Sequence, residues 1–273
     1  MSTIKNAFTV DLEDWFCVSN MERIFPPPSW SARQLRVDDS ANLILELLKK
    51  HGTRATFFIL GWVAEQCPGV VRRIYEAGHE IGLHGYWHER VTNLRHEEFR
   101  DDLFRGIDII SKIIPRAAIA GYRAPSFSVT RRTSWALDVV SSFGFRYDSS
   151  IFPAGGRTDY GWGETPKRIH RLPDKPYSLI EVPITPWFGG GYFRAFPYRV
   201  SRYIIKRANK RALPAIFYIH PWEVDPEQPR VKLPLLKRFR HYINLEKTLC
   251  RLDLLLSEFS FGAIGDVLDE NGF

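Results

Sequence analysis

The sequence predicts an α/β protein: a largely parallel sheet covered by helices. Two observations lead there. Short β-rich apolar runs alternate with segments of helical period across short links, and the chemically unusual residues fall just after the runs. With 44% hydrophobic and 25% charged residues the chain has ordinary globular proportions, which excludes wholesale disorder, collagen and a coiled coil. A single α/β barrel accommodates all 273 residues, so we expect one domain over 1–273, with a barrel core over 1–225 and a C-terminal extension over 226–273 packed on it.

The elements follow in order. Ala7–Val10 is a short strand ending in Asp11, and the Pro-rich Phe25–Pro28 is loop. Asp39 and Ser40 are expected caps for a helix over Ala41–His51, with Leu43, Ile44, Leu47 and Leu48 on one face and Gly52 behind it. Ala55–Leu60 has the β-formers of a buried strand. Then come a helix over Val70–Ala77, a strand over Glu80–Leu83, a helix over Glu97–Ile114, a strand over Ala117–Gly121, a helix over Arg131–Phe143 and a strand over Phe145–Tyr147. Ile180–Val182 and Ala215–Tyr218 are later strands, the second after a basic helix near Val200–Lys210. Ligands bind at the carboxyl ends of the strands in barrels and open parallel sheets alike, so one mouth is expected to gather residues scattered along the whole chain.

Cys17, Cys67 and Cys250 are an odd, sparse set that excludes a disulfide framework and a thiolate zinc site. The start has no apolar core followed by a small-residue cleavage site, so a cytoplasmic location is expected, with membrane association at the inner face left open. Lys plus Arg number 38 against 31 Asp plus Glu, a net charge of +7. The excess is concentrated late, at Arg202, Lys206, Arg207, Lys210 and Arg211 and again at Arg230, Lys232, Lys237, Arg238 and Arg240. A solvated face accounts for it; the sharper alternative is an acidic glycan, a pyrophosphate-linked lipid carrier or an anionic membrane surface. Charge alone does not make a nucleic-acid binder, and no such motif is present.

The chemistry-bearing residues are few. His84-Gly85-Tyr86-Trp87-His88 places two imidazoles four residues apart, which on a helical turn share one face and grip one metal. Asp11-Leu12-Glu13-Asp14 adds carboxylates at a strand end, and a His, His, carboxylate set with open positions suits zinc or a similar divalent ion. Strand alternation puts Asp11 and Glu13 on one side and favours Glu13 as the third ligand, with Asp14 remaining as the alternative because the chain turns there. Arg123, with Ala124 and Pro125, is placed to orient a carboxylate. His220, before Pro221 in extended backbone, points a titratable ring into the mouth. Trp187 and Tyr192, flanking Gly189-Gly190-Gly191, are candidates for a substrate lip.

In this order the pieces resemble the polysaccharide deacetylases, the NodB-homology or carbohydrate esterase family 4 group. Thr9–Asp14 looks like that family's first motif, His84–His88 its second, Arg123-Ala124-Pro125 its third, Tyr147-Asp148-Ser149-Ser150 its fourth and Tyr218–Pro221 its fifth. Gly189–Arg194, His220–Pro226 and Arg238–Asn244 are similar to a bacterial subgroup associated with exopolysaccharide and exosortase gene clusters. The resemblance implies a distorted (β/α)7-type barrel and metal-dependent removal of an N-acetyl group from an amino sugar. It implies Asp11 as catalytic base, His84 and His88 as metal ligands, Arg123 as the residue holding the base, His220 as general acid and Asp148 as its orienter; Pro125 is expected at the substrate together with Trp187 and Tyr192. The expected cofactor is one zinc ion, and the expected partner is an N-acetylhexosamine glycan, free or lipid-linked. Another C–N hydrolase of the same fold (a sugar deformylase or an allantoinase-like enzyme) and a non-catalytic glycan-binding relative are the alternatives.

Overall fold

The computed structural model describes residues 4–154, 160–172 and 178–273. Among them nine strands form one sheet: β1 (Asn6–Leu12), β2 (Thr56–Ile59), β3 (Glu80–Leu83), β4 (Ile119–Tyr122), β5 (Tyr147–Asp148), β6 (His170–Arg171), β7 (Ile180–Glu181), β8 (Ile216–Ile219) and β9 (Phe261–Gly262). Their order is β6-β7-β5-β4-β3-β2-β1-β8, with β9 also beside β1, and only β6 runs antiparallel to its neighbour. The sheet curls into a half-barrel of the α/β class expected from the sequence. All seven residues of β1 are buried, as befits a strand covered on both faces.

Alternation along the strands separates two cores. Phe8, Val10, Leu12, Phe57 and Ile59 pack under the surrounding helices, whereas Ala7, Phe58, Tyr147, Ile180 and Ile216 belong to a second cluster inside the curl. Each buried Phe or Ile contributes about 1.5–3 kcal/mol relative to exposure. The same alternation puts Thr9 and Asp11 on the inner side with Ala7.

The helices are α1 (Val37–Lys50), α2 (Gly61–Gln66), α3 (Pro68–Glu76), α4 (His96–Ile113), α5 (Ala136–Ser142), α6 (Gly190–Ala195), α7 (Tyr198–Asn209), α8 (Leu235–Tyr242), α9 (Leu245–Glu258) and α10 (Ile264–Glu270). α1 begins four residues before the expected start at Ala41 because its first turn is capped from a distance. Asp14 Oδ2 accepts the backbone N–H groups of Arg36 (2.8 Å) and Val37 (3.0 Å), so Asp39 and Ser40 lie inside the helix. The helix expected over Arg131–Phe143 is a 3-10 turn at Arg131–Thr133 followed by α5. The residues expected as a C-terminal extension supply β9, which pairs in parallel with Asn6 and Ala7, and α9, whose Leu245, Leu252 and Leu255 join the main core. Among the described residues no helix is long and apolar enough to cross a membrane.

Candidate active site

The carboxyl ends of the parallel strands deliver the candidate residues to one place: Asp11 and Glu13 at the end of β1, His84 and His88 after β3, Arg123 after β4, Ser149 after β5 and His220 after β8. The His84–His88 segment is not the helical turn expected from its spacing. It is irregular loop with Gly85 at φ +74° and His88 at φ +54°. A left-handed histidine costs about 1–3 kcal/mol and persists only where its surroundings over-determine it. Here the half-buried Asp102 carboxylate accepts the N–H groups of Tyr86 (2.8 Å) and Trp87 (3.1 Å), and the Gly85 carbonyl accepts from Gly61 N (2.8 Å). The loop thereby sets the two imidazoles 5.3 Å apart, centre to centre.

Glu13, His84 and His88 each offer a ligand atom within 4.8 Å of the others. The donor set fits a divalent cation on three grounds. Glu13 Oε2 is buried without a hydrogen-bond partner although His88 Nε2 lies only 2.7 Å away, as expected of two ligand atoms converging on a third body. His84 Nδ1 lies 2.8 Å from the Arg123 carbonyl, which can only accept; this fixes the tautomer with Nδ1–H donating and leaves the Nε2 lone pair free. Burial, with His88 alongside, pushes His84 down to about 3, so it stays neutral as a ligand must. Burial would raise the Glu13 carboxyl, but His88 and His220 outweigh it and hold it below the ordinary range. Asp14, the alternative third ligand, is turned away: its carboxylate accepts from Trp15 N (2.8 Å) and caps α1. Burial lifts it to about 6 against those N–H bonds.

Beside this cluster, Asp11 Oδ1 accepts a 2.7 Å charge-assisted bond from Arg123 Nη1. The guanidinium is fully buried. It also donates to Thr9 Oγ1 (2.7 Å) and Ser149 Oγ (2.9 Å) and lies 4.1 Å over the Phe58 ring, so it is fixed on several sides and its partner carboxylate with it. His220 Nε2 lies 3.4 Å from Glu13 Oε1 and 3.8 Å from Asp11 Oδ2. Burial would depress the His220 imidazole, but Glu13, Glu223 and Asp11 outweigh it and raise it to about 9. Glu13's share of that rise would shrink once its carboxylate faces a cation.

The structure corrects the expected orienter of His220. Asp148 accepts from Ser150 N (2.9 Å) and Ser150 Oγ (2.7 Å), and Ser150 Oγ in turn accepts from Ala124 N (2.8 Å). Asp148 therefore shapes the Arg123 loop. The group on His220 is Glu223, whose Oε1 is 2.6 Å from Nδ1. Glu223 is itself held by the buried Arg194, whose Nε donates to Oε2 at 2.5 Å. Burial alone would raise Glu223; Arg194 and His220 outweigh it and hold it at about 2. Neither Glu223 nor Arg194 was singled out from sequence. The signal was present in the three-residue step from His220 to Glu223 across Pro221, a helix-start pattern that the structure realises as a short 3-10 turn.

These groups open into a cavity of about 430 Å³ whose rim includes Ser126, Phe127, Tyr192, Tyr218, Leu236 and Phe239. Tyr192 lines it as expected, but Pro125 does not. Its neighbours Ala124 and Ser126 do, while the Pro125 carbonyl accepts from Ser128 Oγ (2.7 Å). Trp187 stands behind the rim, half exposed, edge-on to Tyr192 at 4.9 Å. Gly189, at φ +133°, fits so closely against Tyr218 that a Cβ there would sit 2.5 Å from the Tyr218 carbonyl oxygen.

Comparison with known proteins divides the chain in two. Residues 35–147 match the family model described as polysaccharide deacetylase, and residues 149–269 match a domain of unknown function, DUF3473. The boundary falls inside one sheet, at β5 itself: β2, β3 and β4 lie on its near side, and β6, β7, β8 and β9 on its far side. The first region supplies His84, His88 and Arg123; the second supplies Arg194, His220 and Glu223. A peptidoglycan-N-acetylglucosamine deacetylase of Bacillus cereus is 38% identical over 98 residues, 34% of this chain and 33% of that one. A peptidoglycan deacetylase of Helicobacter pylori is 32% identical over 108 residues, 40% of this chain and 36% of that one. The chain thus spans about a third of the length of these curated relatives. Among solved structures, one described as a polysaccharide deacetylase from Mycobacterium smegmatis superimposes with a TM-score of 0.65 at 17% identity, covering 99% of this chain and 91% of that one. At that identity the likeness concerns the fold.

Proposed function

We propose that this relative of the polysaccharide deacetylases is a metal-dependent hydrolase that removes the N-acetyl group from an N-acetylated amino sugar of a bacterial polysaccharide or its precursor. The observation that carries the reading is the placement of Asp11 and His220 beside the Glu13, His84 and His88 cluster in one cavity. Glu13, His84 and His88 would hold a divalent ion, zinc by donor type; bound there, it supplies a Lewis acid for the amide carbonyl and lowers the pKa of water.

The chain's own groups do the rest. Asp11, kept in place by Arg123, accepts the proton as water adds to the amide carbon. Glu223 accepts Nδ1–H of His220 and so aims Nε2–H into the cavity. When the C–N bond of the tetrahedral adduct breaks, His220 gives that proton to the departing nitrogen, which would be too poor a leaving group as an anion; acetate and the free amine result. We extend the reading to an exopolysaccharide on the resemblance of Gly189–Arg194 and Arg238–Asn244 to the subgroup associated with it.

The test is acetate release from a panel of N-acetylhexosamine oligosaccharides, with and without a chelator, by wild type, Asp11→Asn and His220→Ala, with allantoin as a second substrate. The reading predicts chelator-sensitive release that both substitutions abolish. Release of nothing from the panel, or turnover of allantoin in its place, would contradict it.

A further inference from the structure

A second concavity of about 630 Å³ opens beside the first, and the two share Ser19, Asn20, Ser126 and Arg240 in their walls. Its chemistry is different. Where the first is rimmed by aromatic and aliphatic side chains, the second carries Arg23, Arg90, Lys237 and Arg240 against one carboxylate, Glu22. Arg90 faces Glu22 at 3.6 Å. No described carboxylate pairs with Arg23, Lys237 or Arg240. Three cations from two distant segments thus converge on one concave wall with no ion-pair partner among the described residues. Arg23 comes from the loop after β1, and Lys237 and Arg240 lie one helical turn apart on α8. Lys237 is only part exposed, so its ammonium is screened less than a free surface lysine would be.

We propose that this cleft is an oxyanion subsite, which binds a carboxylate or phosphate group of the substrate while the N-acyl group occupies the neighbouring cavity. The substrate class is then an acidic glycan or a phosphate-linked amino sugar. Arg23 and Arg240 offer planar forks for a two-oxygen anion, Lys237 a point charge, and Ser19, Asn20 and Ser126 neutral hydrogen-bonding groups at the passage between the two spaces. Of the late cluster of basic residues in the sequence, only Lys237 and Arg240 line this cleft; Arg202 is engaged elsewhere. The substrate assignment rests on the deacetylase reading, but anion binding does not.

The experiment uses the whole chain freed of metal, so that binding is measured without turnover. The probes are a hyaluronan tetrasaccharide (carboxylate beside N-acetylglucosamine), inorganic pyrophosphate and neutral tetra-N-acetylchitotetraose. One of the two anionic probes should bind at least about tenfold more tightly than the neutral one and weaken as salt rises. Which of them does so identifies the source of the oxyanion. The advantage should vanish in Arg23→Ala/Lys237→Ala and survive in Arg23→Lys/Arg240→Lys, which retains charge and controls for folding. Equal or absent binding of all three probes by wild type, or an advantage that persists in the alanine variant, would overturn the proposal. Acetate release from neutral substrates with no anion preference would overturn the subsite and leave the deacetylase reading intact.

Discussion

Replacing Glu223 by Gln gives a measurable consequence in both stability and chemistry. Its carboxylate is fully buried between His220 Nδ1 and Arg194 Nε. Its pKa is held at about 2 against an ordinary 4.5, a difference worth about 3 kcal/mol of folded-state stability. Because the folded value is depressed, that stability is fully present above pH 4.5 and is lost as pH falls toward about 2. Glu223→Gln keeps the shape and removes the charge, and Arg194 retains the backbone carbonyls of Arg240, His241 and Ile243 as acceptors. Urea unfolding should therefore show a loss of about 3 kcal/mol at pH 7 that narrows steadily below pH 4.5. The same variant should lose about 10²–10⁴-fold in kcat with a much smaller change in KM, since His220 loses its fixed tautomer. A stability gap independent of pH, or an unchanged kcat, would refute the reasoning.

Four further outcomes are expected. Arg123→Met should destabilise the protein by about 3–5 kcal/mol in urea titrations, because Asp11 is left buried without its cation. Glu181 is buried against Asp148 and pushed well above the carboxylate range, first by burial and then by that neighbour. The folded state therefore keeps its proton and loses stability as pH rises past 4.5, so Glu181→Gln should gain melting temperature over wild type at pH 8 and little at pH 4. Gly189→Ala should lower the melting temperature through an overpacking cost of about 1–3 kcal/mol at Tyr218. Zinc at about 100 times its Kd should stabilise wild type by about 2.7 kcal/mol and leave His84→Ala unmoved in the same thermal scan.

How much the sequence disclosed depended on the range of the interaction. β3 appears where its apolar run placed it, at Glu80–Leu83, and Asp11 and Glu13 both reach His220 Nε2, although β1 ends at Leu12 and Glu13 gets there through a turn rather than by strand alternation. The start of α1 was misplaced because its cap comes from Asp14, more than twenty residues away, and local pattern cannot show such a partner. The His84–His88 spacing was right about proximity and wrong about conformation, since a left-handed His88 following two N–H groups tied to Asp102 is a tertiary fact. Asp148 was given a role at His220 that belongs to Glu223, because a motif's place in the sequence order does not reveal which way its side chain faces. The cleft of Arg23, Lys237 and Arg240 joins segments more than 200 residues apart, so in sequence those cations merged into a general basic excess.

The central claim, that Glu13, His84 and His88 hold one divalent ion next to Asp11 and His220, is tested most directly by anomalous diffraction from crystals of the zinc-loaded protein, recorded on both sides of the zinc edge. The account predicts a single strong peak about 2.0–2.2 Å from a Glu13 carboxylate oxygen and from one nitrogen each of His84 and His88. A peak at other residues, or none at full zinc occupancy in solution, would contradict it.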